Sequence, residues 1–248
     1  MNFKQRIQQQ FSRAAAVYDQ HATLQYQCAQ DLALHLPELP PQRMLDLGTG
    51  TGYGLRLLQK KYPQASSYGL DLSHTMLLQT RKKYSIPHFM HADFDHLPLA
   101  AHSMDIVFSN LALQWSPALR HSLAEIQRIL TPQGTLLFST LTAGSLTELK
   151  ARHFLSETAI FDALDQSGFQ LKAHTRKIQH CYFSSAQAAL RSLKNIGANA
   201  LADSTCSAFN TRSKLQDLEK NYPCTDQGYP LSYHILYVTA RRRECMFI

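Results

Sequence analysis

The stretch LDLGTGTG, residues 45–52, joins a short apolar run to a loop in which every second residue is glycine. Glycine lets a backbone turn sharply and approach a ligand with no side chain between them. Leu55, Leu58 and Tyr62 follow at the three- and four-residue spacing of a helix. The stretch therefore predicts a buried strand, a ligand-binding turn and a helix in succession.

These glycines do not form the pattern of a nicotinamide-binding fold. That pattern is G-x-G-x-x-G, and Tyr53 stands where its third glycine would lie. An acid, Asp46, precedes the first glycine by two residues, where it would repel a pyrophosphate and attract an amine. A nicotinamide dehydrogenase is thereby disfavoured, although it stays an alternative.

Two further acids follow the next two predicted strands. Asp71 ends the second strand, and Asp93 follows the third strand beside Phe94. An ionised carboxylate at a strand end can accept hydrogen bonds from both ribose hydroxyls. Asp93 could accept from an adenine amino group, with Phe94 flanking the ring. Three acids after successive strands predict a site for a nucleoside-containing cofactor.

Short apolar runs alternate with amphipathic segments from Arg43 onward, which is typical of a parallel sheet with crossover helices. We predict an α/β, Rossmann-like fold with a seven-stranded, mostly parallel sheet and an antiparallel edge strand. The predicted strands span 44–47, 67–70, 88–91, 104–109, 135–140, 169–182 and 232–240. The predicted helix N-caps are Ser73, Ser116, Ser156, Ser184 and Thr211.

The chain is long for one domain, yet α/β domains of its length are common. We expect a helical lid over residues 1–40 and a single domain over residues 41–248. Within that domain we expect a core over 41–145, a late lobe with inserted helices over 184–222, and a closing strand over 231–241.

Composition restricts the partners and the compartment. The formal net charge of +7 favours an acidic partner. The five cysteines form no C-x-x-C pair, so we expect neither a zinc site nor a disulfide framework. The first residues lack the apolar run of a signal peptide, and no stretch approaches the length of a membrane span. We expect a cytoplasmic protein with no metal and no membrane partner.

The glycine loop and the three acids resemble the motifs of class I methyltransferases over about residues 43–140. The resemblance implies S-adenosyl-L-methionine as cofactor. It implies that Asp46, Gly48 and Gly50 hold the methionine end, while Asp71 holds the ribose and Asp93 the adenine. By the same analogy, the remaining cofactor contacts come from Met76, Phe94 and Asn110.

Motifs along nearly the whole chain resemble a narrower family, the malonyl-acyl-carrier-protein O-methyltransferases of biotin synthesis. These motifs are FSRAAAVYDQHA (11–22), SNLALQW (109–115), TAGSLTEL (142–149), RSLKNIGA (191–198) and YPLSYH (229–234). The resemblance implies methylation of the free carboxyl of a malonyl group held as a thioester on acyl carrier protein or on coenzyme A. A malonyl carboxylate is already ionised at neutral pH, so no general base is needed.

The same resemblance implies the residues of the acceptor site. Tyr18 and His21 would line it from the N-terminal lid, and further contacts are expected from Gln114, Trp115, Tyr233 and His234. The acidic carrier protein is expected to dock on a basic face of the late lobe, formed by Arg191, Lys194, Arg212 and Lys214 beside Arg176 and Lys177. We expect a monomer with no nucleic-acid partner.

One departure from the family keeps other functions open. The segment near residues 149–154 is shorter than in the family by roughly ten residues, and those residues normally wall the substrate pocket. A more open pocket would suit a small-molecule or RNA methyltransferase of the same fold, or a homologue that binds the cofactor without turnover. The Pro-Pro step typical of base N-methyltransferases is absent after the fourth strand, which counts against that acceptor.

Overall fold

The structure is a computed structural model that describes residues 1–84, 88–149, 154–198, 219 and 221–243. Its helices are α1 (Phe3–Ala14), α2 (Tyr18–His21), α3 (Thr23–Ala33), α4 (Tyr53–Lys61), α5 (His74–Lys83), α6 (Leu119–Ile129), α7 (Glu157–Gln166) and α8 (Ala186–Asn195). Short 3₁₀ helices span Leu113–Trp115 and Thr147–Leu149. Its strands are β1 (Arg43–Leu47), β2 (Ser66–Asp71), β3 (His88–His91), β4 (Met104–Asn110), β5 (Leu130–Leu141), β6 (Phe169–Phe183) and β7 (Tyr229–Arg242).

The seven strands form one sheet in the order β3-β2-β1-β4-β5-β7-β6. All pairs from β3 to β5 are parallel, whereas β7 is antiparallel to both β5 and β6. The predicted Rossmann-like, mostly parallel sheet is confirmed. Its antiparallel strand is not the edge strand, however, because β7 inserts between β5 and β6. The order reverses beside β1, so the carboxyl ends of β1 and β4 open a crevice there.

Hydrophobic clusters cover the sheet on both faces, because neighbouring apolar residues in a strand are buried on opposite sides. Met44 belongs to the hydrophobic cluster on one face and Leu45 to the cluster on the other, because neighbouring side chains on a strand point in opposite directions. Leu136 and Leu137 of β5 divide in the same way. Burial on both sides explains why apolar residues follow one another directly in these strands.

The N-terminal segment, residues 1–40, consists of three helices that cross the carboxyl edge of the sheet. α1 contacts α5 and α8, while α3 contacts α4, β4 and β5. Cys28, Leu32 and Leu36 are buried in the hydrophobic cluster on one face of the sheet, and the four-residue spacing of Cys28 and Leu32 places both on one side of α3. In the described part of the chain, no helix is both long enough and apolar enough to cross a membrane.

Two of the predicted N-caps are confirmed. Ser73 accepts from the Met76 N–H at 3.3 Å, and Ser156 accepts from the Ala159 N–H at 3.2 Å. Two others are wrong. Helix α6 begins later, after Ala118. The Ser116 hydroxyl bonds Ser122 Oγ at 2.7 Å and accepts from the Ala118 N–H at 3.1 Å, so it lies ahead of the helix and does not cap it.

At α8 the cap is one residue later than predicted. Ser185, and not Ser184, accepts from the Ala188 N–H at 3.0 Å. The predicted cap at Thr211 lies outside the described residues, as does most of the shortened segment near 149–154.

Candidate active site

The glycine loop between β1 and α4 forms the floor of the site. Gly48, Gly50 and Gly52 have φ angles of 74°, 55° and 87°, in the left-handed region that glycine enters without steric cost. The N–H groups of Gly48 and Thr49 donate to the Leu70 carbonyl near the end of β2, at 2.8 and 2.9 Å. A Cβ atom on Gly50 would meet nothing within 4 Å, so open space for a ligand lies against this backbone.

Beside the loop lies a cleft of about 740 Å³, termed the large cleft. Seven of the eight residues predicted for the cofactor line it, namely Gly48, Gly50, Asp71, Met76, Asp93, Phe94 and Asn110. They come from the ends of four neighbouring strands and the segments that follow them. The large cleft therefore combines carboxylates with the apolar side chains that a nucleoside would contact.

The eighth residue, Asp46, lines an adjoining space of about 370 Å³, termed the glycine-loop cleft. Its side chain is almost fully buried and accepts from the Thr49 hydroxyl at 2.7 Å. Burial raises the pKa of the Asp46 carboxyl to about 7, and the neighbouring charge of Asp71 acts in the same direction. None of the residues lining the glycine-loop cleft is Lys, Arg or His, so a cationic ligand group would stabilise the ionised form of this carboxyl.

Asp71, the last residue of β2, is held by the backbone on either side of the large cleft. One carboxylate oxygen accepts from the Gly50 N–H at 2.8 Å and the other from the Ser73 N–H at 2.7 Å. Burial raises the pKa of Asp71 to about 6. Each oxygen keeps a further lone pair for ligand hydroxyls.

Asp93 is engaged by a residue that lies 89 positions away in the sequence. Lys4, in α1, contacts Asp93 and Asp95 with its ammonium, at 2.5 Å in each case. Lys4 and Asp93 both line the large cleft. The N-terminal segment therefore reaches the end of the cleft where the adenine is expected.

Tyr18 lines the large cleft, the glycine-loop cleft and a third space of about 430 Å³, termed the α8 cleft. It is held at the start of α2, between α1 and α3. Burial raises the pKa of its hydroxyl well above the ordinary value, with the charges of Asp71 and Asp19 adding to the effect. Tyr18 is thus a neutral hydrogen-bond donor at the point where the three spaces meet.

The α8 cleft is walled mainly by apolar side chains of α8, β5 and the 3₁₀ turn after β4, and it includes Gln114, Trp115 and Tyr233. Its lining contains no Lys, Arg or His. Trp115 also lines the large cleft and packs edge-on against Phe11 of α1, with ring centroids 5.2 Å apart. Leu111, with φ at 49°, also lines both spaces.

Two of the predicted acceptor residues are not part of these clefts. His21 is exposed, and its ring contacts Asn195 of α8 at 3.3 Å. The ring of His234 packs over Gly144, where a Cβ atom would lie only 2.7 Å from it. The His234 backbone instead joins β7 to the loop at Ser145 through a 2.9 Å hydrogen bond.

The predicted carrier-docking residues have different surroundings. Arg191 and Lys194 are exposed on α8 and form no salt bridge within the described ranges. Arg176 and Lys177, in contrast, pair with Glu157 and Asp31. Arg212 and Lys214 lie outside the described residues.

Sequence reasoning missed several residues of the N-terminal segment that line the site. Lys4, Phe11 and Gln25 lie in helices whose apolar spacing predicts burial but carries no sign of what the polar side chains face. Asp19 directly follows Tyr18 and accepts from the Thr51 hydroxyl at 2.6 Å. Because these contacts join residues far apart in the chain, no local pattern could have predicted them.

The sheet order, the glycine loop and the acids at the strand ends define a class I methyltransferase. In sequence, residues 45–138 match the family model described as a methyltransferase domain. Among solved structures, an S-adenosylmethionine-dependent methyltransferase from Mesorhizobium loti aligns with a TM-score of 0.55 and 24% identity, covering 86% of this chain and 96% of that one. A [4+2]-cyclase, SpnF, aligns with a TM-score of 0.59 and 14% identity over 88% and 81% of the two chains. The fold alone therefore does not specify the reaction.

Proteins with higher sequence identity to this chain specify the family. The malonyl-[acyl-carrier protein] O-methyltransferases of Enterobacter lignolyticus and Salmonella typhimurium are each 37% identical, over 94% of this chain and 95% of theirs. That of Erwinia billingiae is 36% identical over 96% of this chain and 98% of its own. The chain belongs to the malonyl-[acyl-carrier protein] O-methyltransferase family. It is therefore an S-adenosylmethionine-dependent O-methyltransferase.

Proposed function

We propose that this protein methylates the free carboxyl of malonyl-acyl carrier protein, the entry step of pimeloyl formation in biotin synthesis. The observation that carries the proposal is the 37% identity to proteins of that name over 94% of the chain. The neutral ester could then be elongated as an ordinary acyl chain. The arrangement of the three clefts around Tyr18 supports the proposal, because it joins a cofactor space to an apolar acceptor space.

The residues of the large cleft and the glycine-loop cleft fit S-adenosylmethionine. Asp71 would accept from the ribose hydroxyls and Asp93 from the adenine amino group, with Met76 and Phe94 against the ring. Asp46 would face the methionine ammonium in a cleft whose lining holds no other cation. When bound, this cofactor supplies the methyl group and leaves as S-adenosylhomocysteine.

The α8 cleft suits an acceptor that carries its own negative charge. Its uncharged lining would hold a carboxylate only through neutral donors such as Tyr18, Gln114 and Tyr233. Because methyl transfer to the carboxylate cancels charge, a site that excludes water favours the step. Tyr18 keeps its proton, since burial raises its pKa, so it positions the acceptor and removes no proton.

The N-terminal segment would serve as the lid that excludes water. Lys4, Phe11 and Tyr18 of α1 and α2 line the large cleft from above the sheet. Their contacts cross to Asp93 and Trp115 of the core. A ligand in this space would be enclosed by residues 1–40 on one side and residues 41–145 on the other.

The carrier protein would dock on α8. The buried side of this helix contributes Leu193 to the α8 cleft, while Arg191 and Lys194 point outward. A carrier held by these cations would therefore lie one helix away from the acceptor space. Acidic partners are steered to such unpaired basic residues by long-range attraction.

The function is tested by supplying labelled S-adenosylmethionine with malonyl-acyl carrier protein, and with acetyl-acyl carrier protein as the control that lacks the free carboxyl. Base-labile label on the malonyl form alone is the expected result. Label on both forms, or on RNA or a small molecule instead, would overturn the proposal. Tyr18→Phe should lower kcat and leave S-adenosylhomocysteine affinity within about threefold, since one neutral hydrogen bond is lost.

A further inference from the structure

Gln25, in the first half of α3, carries a buried acceptor that the protein leaves unused. Its side-chain oxygen, Oε1, is shielded from solvent and receives no hydrogen bond. Buried polar atoms in native proteins are nearly always paired, so each exception calls for a partner that the protein itself does not supply. The only other buried side-chain atoms of this kind among the described residues belong to Arg43 and Glu148, and neither residue lines the three clefts.

The position of Gln25 is fixed by the core of the sheet. Its backbone carbonyl accepts from Asn110 Nδ2 at 2.9 Å, and Asn110 Oδ1 in turn accepts from the Ser139 hydroxyl at 2.7 Å. Asn110 ends β4 and Ser139 lies in β5. This chain of hydrogen bonds ends on the backbone of Gln25, so it holds α3 against the ends of two strands and fixes the point from which the Gln25 side chain extends.

Gln25 lines both the glycine-loop cleft and the α8 cleft. In the glycine-loop cleft it shares the lining with Asp46, Gly48 and Gly50. Gln25, whose amide oxygen has no partner, thus lines this space together with a buried carboxyl, and the lining holds no cationic side chain. Two acceptors without a cation suit a ligand group that is positively charged and can donate several hydrogen bonds, such as a primary ammonium.

We propose that Gln25 Oε1 accepts a hydrogen bond from the ammonium of the methionine moiety of S-adenosylmethionine. The proposal rests on the cofactor of the proposed function, and it is independent of the methyl acceptor. Gln25 and Asp46 together bind the amino end, while Asn110 holds Gln25 in position. Because α3 belongs to residues 1–40, binding of the ammonium also draws the N-terminal segment onto the core.

The test compares two probes, S-adenosylhomocysteine and its analogue without the amino group, by titration calorimetry. We define the amine preference as the dissociation constant of the analogue divided by that of S-adenosylhomocysteine. Gln25→Met removes the acceptor and keeps the shape of the side chain, whereas Gln25→Glu keeps an acceptor at the same place. Gln27→Met is the control, since Gln27 lies in the same helix and is exposed.

The amine preference is expected to fall about tenfold in Gln25→Met, in line with the loss of a hydrogen bond to a charged group. It should persist in Gln25→Glu and be unchanged in Gln27→Met. An unchanged preference in Gln25→Met, with both probes weakened equally, would overturn the proposal and leave Gln25 a packing residue. A wild-type protein that binds neither probe would instead overturn the proposed function.

Discussion

The hydroxyl of Thr51, in the glycine loop, donates a 2.6 Å hydrogen bond to the carboxylate of Asp19, in α2. The other oxygen of that carboxylate pairs with Lys83 at the end of α5. Asp19 therefore ties the N-terminal segment both to the loop that floors the site and to the helix beside it. Tyr18 and Gln25, on either side of Asp19 in the sequence, line the glycine-loop cleft.

Asp19→Ala should loosen this closure without removing a cofactor contact. We expect S-adenosylhomocysteine to dissociate several-fold faster, because about 1 kcal/mol of hydrogen bonding to the closed segment is lost. Trp115, the one tryptophan of the chain, lines the large cleft and would report the release by stopped-flow fluorescence. Asp162→Ala, at an exposed position of α7, is the control. Equal dissociation rates in both variants would show that Asp19 does not hold the segment closed.

Cofactor affinity should rise with pH across the neutral range. Burial raises the pKa of Asp46 to about 7 and that of Asp71 to about 6, so without ligand these carboxyls keep protons at a pH where exposed ones have lost them. The methionine ammonium binds the ionised form, and protonation competes with it. The dissociation constant of S-adenosylhomocysteine should therefore fall between about pH 6 and pH 8. Asp46→Asn should bind more weakly and give a flatter profile, whereas a profile as steep as that of the wild type would remove Asp46 from the amino-end site.

Gly48 and Gly50 offer a matched pair for separating backbone strain from ligand contact. Both have positive φ, so alanine at either position costs about 1–2 kcal/mol. A Cβ on Gly48 would also lie 2.5 Å from the Cβ of Ala112, while one on Gly50 meets open space. Gly48→Ala should therefore lower the melting temperature more than Gly50→Ala, and Gly50→Ala should lose cofactor binding at a smaller cost in stability. Equal melting temperatures, measured by calorimetry, would contradict this ranking.

The parallel part of the sheet could be predicted from sequence because β1, β4 and β5 contain apolar runs buried on both faces, and helices with clear spacing follow β1, β2 and β4. The insertion of β7 next to β5 could not, since the pairing of the last strands joins residues such as Ser139 and Tyr237 that lie far apart in the chain. The start of α6 shows a limit of local pattern. Ser116 has the features of a cap and accepts from the Ala118 N–H, yet the helix begins only after Ala118.

The same division holds in the site. Acids and glycines at strand ends are predictable, because parallel strands bring their carboxyl ends to one edge. Gln25 and Lys4 are not, because a polar residue in an amphipathic helix carries no local sign that it faces a ligand. His21 and His234 illustrate the converse, since a family motif can contain residues that the structure uses to join helices or strands.

Charge reversal on α8 should weaken carrier-protein recognition and spare the chemistry. In the double variant Arg191→Glu, Lys194→Glu, we expect the KM for malonyl-acyl carrier protein to rise about tenfold or more, because two attractive charges become repulsive. The KM for malonyl-coenzyme A and the affinity for S-adenosylhomocysteine should stay near the wild-type values, since neither residue lines the three clefts.

The matched control for that variant is Lys60→Glu with Lys82→Glu, at exposed positions of α4 and α5. Both of these helices contact β2, whereas α8 contacts β6 and β7. It changes the net charge by the same amount, so it corrects for long-range steering by the whole protein. If both double variants raise the KM for the carrier equally, net charge alone attracts the carrier and α8 is not its docking site. If only the α8 variant does so, and added salt narrows its difference from the wild type, then the carrier is recognised at the helix that walls the acceptor space.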